Sequence, residues 1–175
     1  MTLRALLLVV LAVGWWRVPA ATGGRAGMRP LAIAAAAVVV GAVALASASG
    51  PILEGLDVDT ETFRIATGLV TCAIGAGRIW GWGSHREDDA ELNRWAWPLA
   101  YPVLSGPLTA VAAVSVGSDH GVLAVASSAL VGALLALALR SLSIPRPVAV
   151  TLVRLAGAVL AVLGVALIFD GLRDV

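Results

Sequence analysis

Six long apolar runs, with little chain between them, limit what this sequence can fold into. They are Leu3–Ala21, Leu31–Leu53, Phe63–Trp82, Trp95–Val116, Gly121–Leu139 and Val148–Phe169. The first is interrupted only by Arg4 and Arg17, and the second carries no charge until Glu54. A membrane-spanning helix takes about 20 predominantly apolar residues, so six of them use roughly 120 positions and leave room for short connections only. The chain is 59% hydrophobic and 13% charged, against about 45–50% and roughly 25% in soluble domains. A cytosolic enzyme and a disordered chain are both excluded. Continuous rather than alternating runs disfavour a β-barrel. The expectation is an all-α membrane protein with six transmembrane helices, forming a single integral membrane domain over residues 1–175.

Punctuation between the runs agrees with these spans. Gly23-Gly24 and Arg29-Pro30 separate the first two, and Gly50-Pro51 opens the next connection. Asp57, Asp59 and Glu61 supply acidic capping material for the third helix, where negative charge is favourable. Ser84–Arg94 is the one strongly polar run, Gly117–Gly121 reads as a tight turn, and Pro145-Arg146-Pro147 divides the last two spans.

Every basic residue is an arginine, so orientation follows from their distribution. Threading six spans puts Arg4, Arg64 and Arg173 on one side and the other nine arginines on the opposite one. The arginine-rich side is expected to be cytoplasmic, which puts both termini outside a multi-pass protein of the cell membrane and makes residues 84–94 a cytoplasmic loop. Trp15, Trp16, Trp80, Trp82, Trp95 and Trp97 gather at the same predicted ends, as an interfacial aromatic belt does. A rival reading makes residues 1–20 a cleavable signal peptide, although Trp15-Trp16-Arg17 is a bulky approach to a cleavage site. The net charge of +1 and the lack of a basic block point to no nucleic-acid partner.

Six spans divide into three and three, and an odd number per half inverts one half relative to the other. Repeat one covers about residues 1–83 and repeat two about 95–175. Phe63-Arg64-Ile65-Ala66-Thr67-Gly68 is echoed by Val153-Arg154-Leu155-Ala156-Gly157, with Arg154 90 residues after Arg64. The first span of each half carries proline, Pro19 in one and Pro98, Pro102 and Pro107 in the other. Interrupted helices at matching positions of two inverted halves point to a transporter site, with alternating access by one repeat rocking against the other.

Three of these segments also resemble a known family. Pro98-Leu99-Ala100-Tyr101-Pro102-Val103-Leu104-Ser105-Gly106-Pro107 resembles the central motif of the MarC family of integral membrane proteins. Phe63-Arg64-Ile65-Ala66-x-Gly68 is similar to that family's third span, and Arg154-Leu155-x-Gly157 with Ile168-x-Asp170-Gly171 to its last. The resemblance covers about residues 30–175. It implies six helices in two three-helix halves and a place among small-solute transporters or exporters. The first span departs from the pattern: Gly14-Trp15-Trp16-Arg17-Val18-Pro19 stands where members carry Asn-Pro-x-Gly.

The expected substrate-binding residues are Pro102, Ser105, Gly106, Pro107, Arg154 and Arg64. Proline inside a helix removes a donor and frees a carbonyl, and in hydrocarbon a freed carbonyl must find a partner or line a cavity. Pro102 and Pro107 therefore mark either a discontinuous helix at a solute site or a kink in a packed bundle. Arg64 and Arg154 lie inside spans near their ends, where an arginine either snorkels to the interface or pairs with a carboxylate such as Glu61, Asp170 or one on the solute. Asp170 is expected to cap the sixth helix. Ala124, Ser128, Gly132 and Ala136, and Gly77-x-x-x-Gly81, form small-residue faces suited to close helix packing. His85 and His120 fall in connections and Cys72 is alone, so neither metal ligation, nor a cofactor, nor catalysis is expected. The expected function is secondary transport of an unidentified small solute, with the lipid bilayer as partner and a homo-oligomer left open. The alternative is a non-transporting membrane subunit or scaffold.

Overall fold

The computed structural model describes residues 3–14, 28–81, 106–139 and 145–174. Seven helices occupy these segments: α1 Leu3–Ala12, α2 Met28–Ser47, α3 Ser49–Leu56, α4 Thr60–Ile79, α5 Pro107–His120, α6 Val122–Leu139 and α7 Arg146–Asp174. No strand occurs among the described residues. Helices are forced by the long apolar stretches, because backbone groups in hydrocarbon must be paired within their own segment.

Three helices are long and apolar enough to cross a membrane: Met28–Ser47, Val122–Leu139 and Pro147–Arg173. They coincide with three of the six expected spans. α4 matches a fourth in position and has 20 residues, a rise of about 30 Å, but it carries Glu61, Arg64 and Arg78. α1 and α5 have 10 and 14 residues, roughly 15 and 21 Å. Each is shorter than a crossing requires, and residues 15–21 and 95–105 of the same apolar runs lie outside the described residues.

Two boundaries differ from the sequence reading. The run Leu31–Leu53 is not one helix: α2 stops at Ser47 and α3 begins at Ser49. Asp57 then closes α3 in the left-handed conformation, with its N–H and that of Val58 donating to the carbonyls of Glu54 and Leu53. The expected turn over Gly117–Gly121 shrinks to Gly121, whose φ of 80° and ψ of 169° form a combination essentially limited to glycine. Gly117 stays helical and serves packing instead, since a Cβ there would lie 2.8 Å from Cα of Ala46 on α2.

The tightest interface joins α4 to α7, which run antiparallel with glycines facing each other. A Cβ on Gly68 would sit 2.7 Å from the Gly164 carbonyl oxygen, and one on Gly75 would sit 2.7 Å from that of Gly157. The Cys72 thiol donates to the Ala161 carbonyl across the same seam at 3.3 Å. Without a hydrophobic force between helices in lipid, such backbone proximity supplies dispersion contacts that larger side chains would prevent.

α1, α2, α5 and α6 form the second group. α1 is its centre: Leu8, Val9 and Val13 are at most 1% exposed. The small face expected on α6 is buried at Ala124, Ser128, Gly132 and Ala136, and Gly132 meets Val13 and the Val10 carbonyl just where α1 ends. Val40, Leu69, Leu123, Leu134, Val162 and Phe169 point outward, an apolar exterior suited to lipid. Among the described residues the two groups meet mainly through α4 with α5 and α1 with α7.

Candidate functional site

Two helix ends meet inside the bundle. Gly106 is extended, with φ −129° and ψ −176°, and Pro107 opens α5 as its first residue. Proline is suited to that position because its missing N–H is one that a helix start leaves unpaired anyway. Pro107 therefore begins α5. The Thr109 N–H donates to the Gly106 carbonyl at 3.0 Å, while the Gly106 N–H donates back to Thr109 Oγ1 at 3.4 Å. The same hydroxyl donates to the carbonyl of Ala12 at 2.8 Å.

Ala12 is the last residue of α1, so its carbonyl is one that the helix itself cannot pair. A single buried hydroxyl thus serves the start of α5 and the end of α1. The fully buried hydroxyls of Thr67, Thr71 and Ser128 donate back to carbonyls four residues earlier on their own helices. Thr109 differs in tying two elements together. The junction brings the negative end of the α1 dipole beside the positive end of α5. Of the expected site residues, Gly106 and Pro107 lie here, and Pro102 and Ser105 fall outside the described residues.

Four charged side chains crowd one end of the bundle. Arg64 on α4 grips Asp119 on α5 as a two-point fork, Nε to Oδ2 at 3.1 Å and Nη2 to Oδ1 at 3.0 Å. The two side chains retain 15% and 16% exposure. Beside them Arg4 on α1 reaches Asp170 on α7 at 3.2 Å, with 66% and 40% exposure. Parallel guanidinium–carboxylate bonds fix geometry as well as charge, and the fork is the better shielded of the two pairs.

A cavity of about 770 Å³ lies among α1, α4, α5 and α7 at this end. Leu8, Ser115, Val116, Leu163 and Leu167 contribute to its wall, and both ion pairs, His120 and Arg173 border it. Thr109 sits six residues further along α5 than Ser115, about 9 Å of helix rise. Among the described residues no group of three His, Cys, Asp or Glu is placed to hold a metal.

The two expected arginines part company. Arg64, half-buried, takes the paired role, with Asp119 as its partner. Arg154 is exposed on α7 and does not line the cavity, the position of an arginine that snorkels. Asp170 is no cap, because α7 continues to Asp174; its carboxylate accepts from Arg4 instead. Asp119 is not among the expected site residues, because it falls within the turn expected over Gly117–Gly121. The usable signal was topological: the threading of spans puts Arg64 and Asp119 on the same side, and likewise Arg4 and Asp170.

A family model described as MarC family integral membrane protein matches residues 25–175 of this chain. No curated protein and no solved structure gives a significant match.

Proposed function

The chain belongs to the MarC family of integral membrane proteins, and from that premise we propose that it is a secondary transporter or exporter of a small solute. The observation that carries this reading is the junction of α1 with α5 through Thr109. Two short helices that end against each other inside an apolar bundle are the construction from which membrane transporters make solute and ion sites. The cavity at the charged end, whose innermost α5 residue is Ser115, has a mixed apolar and charged wall that suits a small polar solute.

In this proposal six spans form two inverted repeats with both termini outside. The glycine seam supports the symmetry. Gly157 and Gly164 lie 89 positions after Gly68 and Gly75, so one such shift exchanges the contact Gly68–Gly164 for the contact Gly75–Gly157. A pseudo-twofold axis between α4 and α7 has that consequence. The arginine echo is 90 positions apart because Thr67 has no counterpart between Ala156 and Gly157.

The packing modifies how alternating access works. Rocking one repeat against the other would tear α4 from α7, the most extensive interface among the described helices. The bodies that move are instead the α4–α7 pair and the α1, α2, α5, α6 group, across their thinner contacts.

The test is efflux from proteoliposomes loaded with a mixed pool of small metabolites, followed by mass spectrometry. Selective loss of one solute class in the wild type, reduced in a folded Thr109→Val variant, supports transport. No movement of any solute, together with a reproducible membrane partner on purification, would favour the scaffold reading. A dual periplasmic and cytoplasmic reporter at Val175 tests the topology, and an inside C-terminus refutes the arrangement proposed.

A further inference from the structure

Both ion pairs at the charged end cross between the same two bodies. Arg64–Asp119 joins α4 to α5, and Arg4–Asp170 joins α7 to α1. They border one cavity, and α4–α5 and α1–α7 are the main contacts between the bodies among the described residues.

The pairs differ in burial. Arg4–Asp170 is largely exposed, and water competes with it on equal terms. The Arg64–Asp119 fork is about 85% shielded, taken from 15% and 16% exposure. For such a pair the mutual attraction offsets most of the desolvation cost while both partners are present, and the closed state stays favoured. Removal of one partner upsets that balance, because the other is left charged and unpaired at a largely shielded position. Admission of water along the seam is the direct relief. Ser115, one helical turn behind Asp119, lines the cavity and is 3% exposed, so it reports whether water and small reagents reach inside.

We infer that the Arg64–Asp119 fork is the gate of the cavity, a latch that holds the α4–α7 pair against α5 and whose release opens the path past Ser115 toward Thr109. The inference rests on the transport reading for its purpose but not for its test. Arg4–Asp170 is an auxiliary contact at the rim.

The experiment uses the full chain in lipid nanodiscs with Cys72→Ser and Ser115→Cys, so that one thiol remains, and a hydrophilic maleimide as probe. Both faces of a nanodisc are accessible, which makes the result independent of topology. The expected outcome is labelling about tenfold faster in Arg64→Gln and in Asp119→Asn, the response to a shift in the closed–open equilibrium. Arg64→Lys, which keeps the charge and loses the fork, falls between. Asp170→Asn leaves the rate near that of the parent. The exchange Arg64→Asp with Asp119→Arg returns labelling toward the slow rate. Rates unchanged in both single neutral variants overturn the gate, and so does an exchange variant as fast as the single ones. Where Arg64→Gln does not fold, Asp119→Asn and Arg64→Lys decide by the same criterion. Labelling that follows the expected pattern in a protein that moves no solute would keep the latch and refute the transport reading.

Discussion

Replacing Gly75 by alanine tests the α4–α7 seam quantitatively. The new Cβ would fall 2.7 Å from both the Ala161 nitrogen and the Gly157 carbonyl oxygen, whereas ordinary contact begins at 3.4 Å. The obstructing atoms are backbone and cannot rotate away, so the helices must separate by about 0.7 Å, a gap that forfeits a quarter to a half of each dispersion well across the seam. Overpacking of this kind costs about 1–3 kcal/mol. Alanine also favours the helix by about 1 kcal/mol over glycine, which partly hides the effect. Gly41 on α2 supplies the control, because a Cβ there meets nothing within 4 Å. The propensity gain is common to both substitutions and cancels in their difference, leaving the steric cost of about 1–3 kcal/mol. Unfolding in mixed SDS micelles, followed by helical circular dichroism, measures both. Gly68→Ala combined with Gly75→Ala should cost less than the two separately, since the second benefits from a separation already made. Equal stabilities of Gly75→Ala and Gly41→Ala, within about 0.5 kcal/mol, would refute close packing at this seam.

Thr109→Val keeps the shape of the junction and strands the Ala12 carbonyl, so about 1–3 kcal/mol of stability should be lost; Thr109→Ser should retain most of it in the same micelle titration. Gly121→Ala forces a side chain into a glycine-only conformation and should destabilise by about 1–3 kcal/mol, although no neighbour lies within 4 Å of the new Cβ; a neutral result would mean that the α5–α6 turn relaxes freely. Arg4→Gln removes only an exposed pair, and its thermal unfolding in detergent should match the parent to within about 1 kcal/mol. A larger loss there would show that the rim pair holds α1 in place.

The apolar runs by themselves determined that the chain is helical and bound for a membrane, because hydrocarbon leaves the backbone no other partner. They also located α4, α6 and α7 closely, since each follows one apolar run, whereas the run Leu31–Leu53 is divided between α2 and α3. Pro107 was legible as a position of special backbone geometry, but that it is the first residue of α5 was not, because a proline is compatible with a helix start as well as with a kink. The small face of α6 was legible from its four-residue period, but its occupant, the end of α1, was not. Only the tertiary structure chose Asp119 as the partner of Arg64, leaving Arg154 on the exterior, although both arginines sit in nearly the same local sequence. The physical reason is that an ion pair depends on two elements 55 positions apart arriving at the same depth and facing each other. Span order supplies the depth, and helix rotation against its neighbours supplies the facing. The first is written along the chain, and the second is decided by which glycines let which backbones approach.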